Sequence, residues 1–175
     1  MPTLEVGKLR FTFPDGWTVS QYDDWAFYRR QFQSVCGGTK AIDILAVENT
    51  TCCWVLEVKD YRENPRTKAI DIADEVAEKV RDTLAGLFAA QLNANDDNEK
   101  NLARSAIRAK RLRVVFHLEQ PYQHSKLFPR VIRLADVMQK LKRLIKAIDP
   151  HPQLVQIDSS KHLPWFVTSI GGSKS

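Results

Sequence analysis

The chain has 175 residues and a mass of 20.0 kDa, room for one domain of ordinary size and too little for a multidomain machine. Hydrophobic residues make up 43% and charged residues 27%, with 7 Gly and 8 Pro, which excludes disordered and collagen-like chains. The apolar runs, such as Ile44 to Val47 and Cys52 to Leu56, fall far short of the roughly 18 residues that a membrane-spanning helix needs. The N-terminus carries Glu5, Lys8 and Arg10 where a secretory signal would be continuously apolar, so a cytoplasmic location without membrane contact is expected.

Charge is uneven. Residues 1–60 hold 6 basic and 8 acidic side chains, residues 61–100 hold 6 and 9, and residues 101–175 hold 14 and 4, giving −2, −3 and +10. Such an excess in the C-terminal part is the electrostatic footprint of a polyanion partner, with nucleic acid the commonest kind. Three cysteines, Cys36, Cys52 and Cys53, are an odd number with no C-x-x-C spacing, which suits a reducing compartment and buried thiols better than disulfides or zinc.

In chain order, Leu9 to Phe13 alternates weakly and Phe13 to Trp17 contains a Pro-Asp-Gly turn, so a short hairpin or meander is expected to open the fold. Trp25 to Phe32 is aromatic and alternating and is read as a strand, although Ser20, Asp23, Asp24 and Gly37 would also suit a helix. Ala41 to Val47 and Cys52 to Val58 are β-rich runs around a tight turn at Glu48 to Thr51. A long helix follows, with Ala73, Val76, Ala77, Val80, Leu84, Leu87 and Phe88 on one buried stripe. A second helix, about Glu99 to Lys110, carries Arg104 and Arg108 in a basic stripe that Arg111 continues. Arg113 to Leu118 is a strand, the segment from Gln120 to Pro129 a loop containing His124 and Lys126, and Leu134 to Ile148 a third helix. Leu154 to Ile157 and Trp165 to Val167 are short strands, and Gly171 to Ser175 is a tail. The order β-β-β-α-α-β-α-β predicts an α/β chain with a mixed central β-sheet flanked by helices.

Two acids stand inside apolar strands, where a charge is costly unless paired or metal-bound. If Glu48 pairs with Cys52, Asp43 falls directly opposite Glu57 on the antiparallel partner, and Lys59, two residues on, shares that face. Converging carboxylates repel, and oxygen ligands at that spacing suit Mg²⁺ or Mn²⁺.

Asp43, a spacer of thirteen residues, and then Glu57-Val58-Lys59, followed by a long helix and a further strand, resemble the PD-(D/E)xK nuclease superfamily. The resemblance covers residues 25–118 and implies a restriction-endonuclease-like fold, one nuclease-like domain over 1–175 with a basic C-terminal helix and strand in 130–168. It also implies a metal held by Asp43, Glu57 and the carbonyl of Val58, with Lys59 positioning the attacking water. The implied activity is metal-dependent hydrolysis of DNA phosphodiester bonds, the cation polarising phosphate and lowering the pKa of water. Lys40, Arg62, Lys68, Arg104, Arg108 and Arg111 are the basic residues assigned to the nucleic acid. The motif's proline is Ile42 here, and of the acid that members carry on an earlier helix only Glu5, Asp23 and Asp24 are candidates.

Other residues have plainer readings. His117 in an apolar strand is a hydrogen-bonded core histidine, while Asp60 and Tyr61 are either substrate contacts or turn residues. Lys68, Lys79 and Arg81 face either a substrate or the neighbouring Glu75, Glu78 and Asp82. Trp17, Trp25 and Tyr28 are core aromatics by default. No Gly-rich phosphate loop is present, since Cys36-Gly37-Gly38-Thr39 lacks the following lysine. Two rival readings remain: a fold of this kind that only binds nucleic acid or a protein partner, a second copy of the chain included, and a different α/β fold in which the acids are structural pairs.

Overall fold

The computed structural model describes residues 1–121 and 132–170; His124, Lys126 and the tail at 171–175 lie outside the described residues. Among the described residues the strands are β1 (Thr3–Val6), β2 (Leu9–Thr12), β3 (Trp17–Gln21), β4 (Ile44–Glu48), β5 (Cys52–Asp60), β6 (Arg111–Glu119), β7 (Gln153–Val155) and β8 (Phe166–Ser169). The helices are α1 (Ile72–Asn93), α2 (Asp97–Arg108) and α3 (Leu134–Leu144). Five strands form a mixed sheet in the order β3-β4-β5-β6-β7. The β3–β4 and β4–β5 pairs are antiparallel, and the β5–β6 and β6–β7 pairs are parallel. The chain is therefore α/β with a mixed sheet flanked by helices.

Strand alternation sorts the side chains of β5 onto two faces. Cys53 and Val55 pack with Val76, Val80 and Leu87 of α1 and with Leu102 of α2. Leu56 and Val58 pack on the opposite face with Phe11, Val115 and Trp165. That second face is covered by a separate antiparallel sheet in the order β1-β2-β8, which joins the first strands of the chain to the last. The opening hairpin turns elsewhere than expected: β1 pairs with β2 around Gly7 at φ 57°, whereas β2 and β3, on either side of the Pro14-Asp15-Gly16 turn, belong to different sheets. The pairing of β2 with β8 has no local signal and comes from burial of Val167 and Trp165.

Two of the helices, α1 and α2, start where capping chemistry dictates. Asp71 accepts hydrogen bonds from the backbone N–H groups of Ala73 and Asp74, and Asp96 does the same for Asn98 and Glu99. The stripe of α1 is buried at Ala73, Val76, Val80 and Leu87, but Phe88 is 60% exposed. A run of five apolar residues from Leu87 to Leu92, broken only by Gln91, is wider than the face the sheet covers. The second helix stops at Arg108, so Arg111 is not on the helical stripe with Arg104 and Arg108. Lys110 and Arg111 donate their backbone N–H groups to the carbonyls of Thr50 and Thr51, which converts the chain to β6.

Trp25 to Phe32, read as a strand, is helical. A 3₁₀ turn at Tyr22–Asp24 leads into a π-helical turn at Tyr28–Phe32. The reason is tertiary: the carboxylate of Glu99 accepts from the backbone N–H groups of Ala26 (2.6 Å) and Phe27 (3.0 Å), satisfying donors that begin this helical segment. The aromatic rings support the same conformation, with Tyr22 packed on Trp25 and Tyr28 at centroid distances of 5.0 and 5.6 Å.

Candidate functional site

The hairpin of β4 and β5 positions the acids. Glu48 pairs with Cys52 and Ile44 with Leu56, the register in which Asp43 stands opposite Glu57. Asp43 itself stands just before the start of β4, where its N–H donates to the Leu56 carbonyl at 3.1 Å. The turn is closed by Asn49 and Thr50 at φ 40° and 65°. Asp43 is fixed further: its Oδ2 accepts from the Val58 N–H at 2.6 Å, and its carbonyl accepts from the Tyr22 N–H at 2.9 Å.

Glu57 is 1% exposed on the helical face of the sheet. Its Oε1 accepts from the ammonium of Lys79 at 2.7 Å and from that of Lys59. Lys79 projects from α1 and also lies 4.0 Å from Asp43 Oδ1, so one ammonium spans both acids. Glu57 Oε2 is buried with no partner among the described residues. Burial, and then the neighbouring Asp43 charge, push the Glu57 carboxyl up to about 7, against the pull of Lys79 and Lys59. Burial disfavours the Lys59 charge, but Glu57 and Asp43 outweigh it and hold that ammonium above its ordinary range. The cluster therefore combines a carboxyl poised near neutrality with two fixed cations, suited to holding a proton or a bound cation and to contacting an anion.

Asp23 completes the electrostatic surroundings. Burial and then Asp43 raise its carboxyl above the ordinary range, and its Oδ1 is buried without a partner among the described residues. Of the candidate early acids, Asp24 instead pairs with Arg29 and Glu5 with Arg10. A cavity of about 500 Å³ adjoins the cluster through Lys79 and is lined also by Asp23, Tyr28, Lys40, Lys68 and Glu75. Glu75 is held well below its ordinary range, at about 2, where burial is outweighed by hydrogen bonds from Lys68 (2.6 Å) and Arg66 (2.7 Å).

The structure brings Asp43, Glu57, Val58 and Lys59 together and adds Lys79. Lys40 and Lys68 border the same cavity, although their ammoniums are paired with Glu78 and Glu75. Arg62 is tied to Asp60 at 2.6 Å, and Tyr61 accepts from Arg66 at 2.9 Å. Arg104, Arg108 and Arg111 are elsewhere. Arg111 is level with Cys52, five residues along β5 from Glu57 and so roughly 17 Å away. His117 hydrogen-bonds to Glu119 at 2.8 Å on the other face of the sheet and stays clear of the cluster. Lys79 and Asp23 were legible only as one cation among acids and one of several acids; nothing local distinguishes them from their neighbours.

For a divalent metal the protein donors are few, so water would have to complete the shell of an ion held here. Two carboxylates offer oxygen, yet among the described residues no group of three or more His, Cys, Asp or Glu is placed to hold a metal ion, and the Lys79 ammonium already lies between the two acids. Among the described residues no helix is long and apolar enough to cross a membrane.

No established family profile matches the chain, and no solved structure matches it. The chain is 31% identical over 169 residues to the cysteine–tRNA ligase of Neisseria meningitidis serogroup A, with 79% of this chain and 24% of that protein matched. The chain thus spans about a quarter of the length of this curated relative. The likeness overturns the expectation of a DNA-cleaving, metal-dependent hydrolase, because the matched protein is named for ligation to tRNA and not for phosphodiester cleavage. The physical source of the error lies in the motif: two opposed acids and a lysine on a hairpin carry the same sequence signal whether metal or ammonium compensates them. Here the ammoniums of Lys59 and Lys79 compensate Glu57.

Proposed function

We propose that this chain is a tRNA-binding unit that serves cysteine–tRNA ligation. The observation that carries this reading is the 31% identity to the ligase, sustained over 79% of the chain. Charge agrees with it: the +10 of residues 101–175 gives a tRNA backbone its counterions. The match to about a quarter of the ligase makes the chain a counterpart of one segment of that protein.

Within this reading the chain has a restriction-endonuclease-like core, supported by a hairpin that sets Asp43 opposite Glu57, then α1, then the parallel strand β6. Asp43, Glu57 and the Val58 carbonyl bind a hydrated Mg²⁺ or Mn²⁺ that competes with Lys79; the support is the unpartnered Oε2 of Glu57. Such an ion would supply a positive charge for phosphate, with several waters kept in its shell.

Two measurements test this. Fluorescence anisotropy with a cysteine tRNA transcript, and with single-stranded DNA of equal length, should give tighter binding of the tRNA; equal affinities would overturn the tRNA reading. Titration calorimetry with Mn²⁺ should give a saturable isotherm for the wild type that is lost in Glu57→Gln. A flat wild-type isotherm would remove the metal from the site.

A further inference from the structure

The ion pairs of this protein are distributed in a pattern that the charge totals hide. From Lys8 to Arg81, every described Lys and Arg except Arg30 has a carboxylate partner. From Lys100 to Lys161, only Arg113, Arg133 and Lys140 have one among the described residues. Among the described residues the uncompensated cations other than Arg30 therefore all lie between Lys100 and Lys161.

Topology gathers six of these cations at one end of the sheet. Because β5, β6 and β7 are parallel, the chain must return along α2 and then along α3 to the same end before each new strand begins. Arg108 ends α2, and Lys110 and Arg111 follow it against the hairpin turn at Thr50 and Thr51. Lys142 and Arg143 lie in the last turn of α3 and Lys146 just beyond it. Asp149, which follows, accepts from the Val114 N–H at 2.8 Å and pairs with Arg113 at 3.3 Å, pinning the exit of α3 to the first residues of β6. All six side chains are exposed. A cation or two in the last turn eases a helix dipole, but Lys110, Arg111 and Lys146 lie past the helix ends and gain little from it.

We propose that this end of the sheet is a backbone-binding surface for folded RNA, separate from the carboxylate–lysine cluster at the opposite end. Two groups of three cations, one at each helix exit, fit phosphates on adjacent backbone segments, and since none of the six is ion-paired among the described residues they are free to release counterions on binding. The choice of RNA as occupant rests on the tRNA reading above. The surface is also where most of the affinity of this protein for tRNA resides.

The test compares the wild type with the exposed-site variant Arg108→Ala/Arg111→Ala/Arg143→Ala/Lys146→Ala. Circular dichroism verifies the fold, and anisotropy is measured from about 50 to 200 mM salt against the cysteine tRNA transcript, a generic RNA hairpin and phosphatidylserine vesicles. Each lost phosphate contact flattens the log–log salt slope by about 0.7–0.9, so a drop of about 3 in slope, with tRNA affinity weakened about tenfold or more at low salt, is the expected result. Unchanged tRNA binding by the variant would overturn the surface and leave the tRNA reading standing. Loss of binding to both RNAs, from a wild type that does not prefer tRNA, would uphold the surface and overturn the tRNA reading. Vesicle binding with no RNA binding would overturn both.

Discussion

Glu57 is the residue with the most to lose from its own charge. It is buried beside Asp43, and two ammoniums only partly offset the cost of ionising it, so its carboxyl titrates at about 7 in place of its ordinary 4.5. The folded chain then binds the Glu57 proton more firmly than the unfolded chain does. Between about pH 4.5 and 7 the folded state carries the extra proton, and this group's contribution to stability falls as pH rises through that window, by about 3 kcal/mol in all. Glu75 works in the opposite sense, since its depressed carboxyl stabilises the fold above its ordinary range and loses that contribution as pH falls toward 2. Urea unfolding in EDTA at pH 5 and pH 8 should show a pH 5 advantage that shrinks markedly in Glu57→Gln; an undiminished advantage would mean that other groups cause it. At this scale the sequence was informative about Asp43, Glu57 and Lys59, because an acid within an apolar strand is visible in one dimension and the register follows from counting. It was nearly silent about Lys79 and Asp23, whose neighbours in sequence are equally charged.

The elements show where local preference ends. The three helices and the β4–β5 hairpin follow from periodicity, caps and turn residues, whereas the turn at Tyr28–Phe32 is helical because Glu99, about seventy positions away, satisfies its first N–H groups. That turn packs closely on α1. A Cβ added at Gly86 would overlap the Tyr22 hydroxyl and press on the Phe32 ring at 3.2 Å. In an open helix, Gly→Ala stabilises by about 1 kcal/mol. Here the overlap reverses the sign, and Gly86→Ala should destabilise by ~1–3 kcal/mol. Tyr22→Phe removes both the overlapping oxygen and a buried hydroxyl with no partner among the described residues, so Gly86→Ala/Tyr22→Phe should melt above Gly86→Ala alone. A thermal melt of Gly86→Ala at or above the wild type would contradict the packing.

For the whole molecule, the second sheet is what closes the fold. Trp165 is 2% exposed and stands 5.5 Å from Phe13, 5.1 Å from Trp54 and 6.2 Å from Trp17, measured between ring centroids. It joins the end of the chain to the turn before β3 and to the central hairpin. Trp165→Ala should cost ~3–5 kcal/mol, while Ala at its exposed neighbour Phe166 should stay within ~0.5 kcal/mol. Equal losses in chemical denaturation would refute this role for Trp165. The same long-range closure separates two chemistries, since parallel strands carry the carboxylate–lysine cluster toward one end of the sheet and leave the unpaired cations of both helix exits at the other.

The sequence by itself determined the α/β class, the hairpin register that opposes Asp43 to Glu57, the three helices and the sign of the C-terminal charge, because each depends on spacing along one stretch of chain. The tertiary structure alone decided the pairing of β2 with β8, the helical state of Tyr28–Phe32, the ammonium of Lys79 between two acids and the end of the sheet at which uncompensated charge collects. Each of these joins residues far apart in sequence, where burial and the compensation of buried charge outweigh local preference.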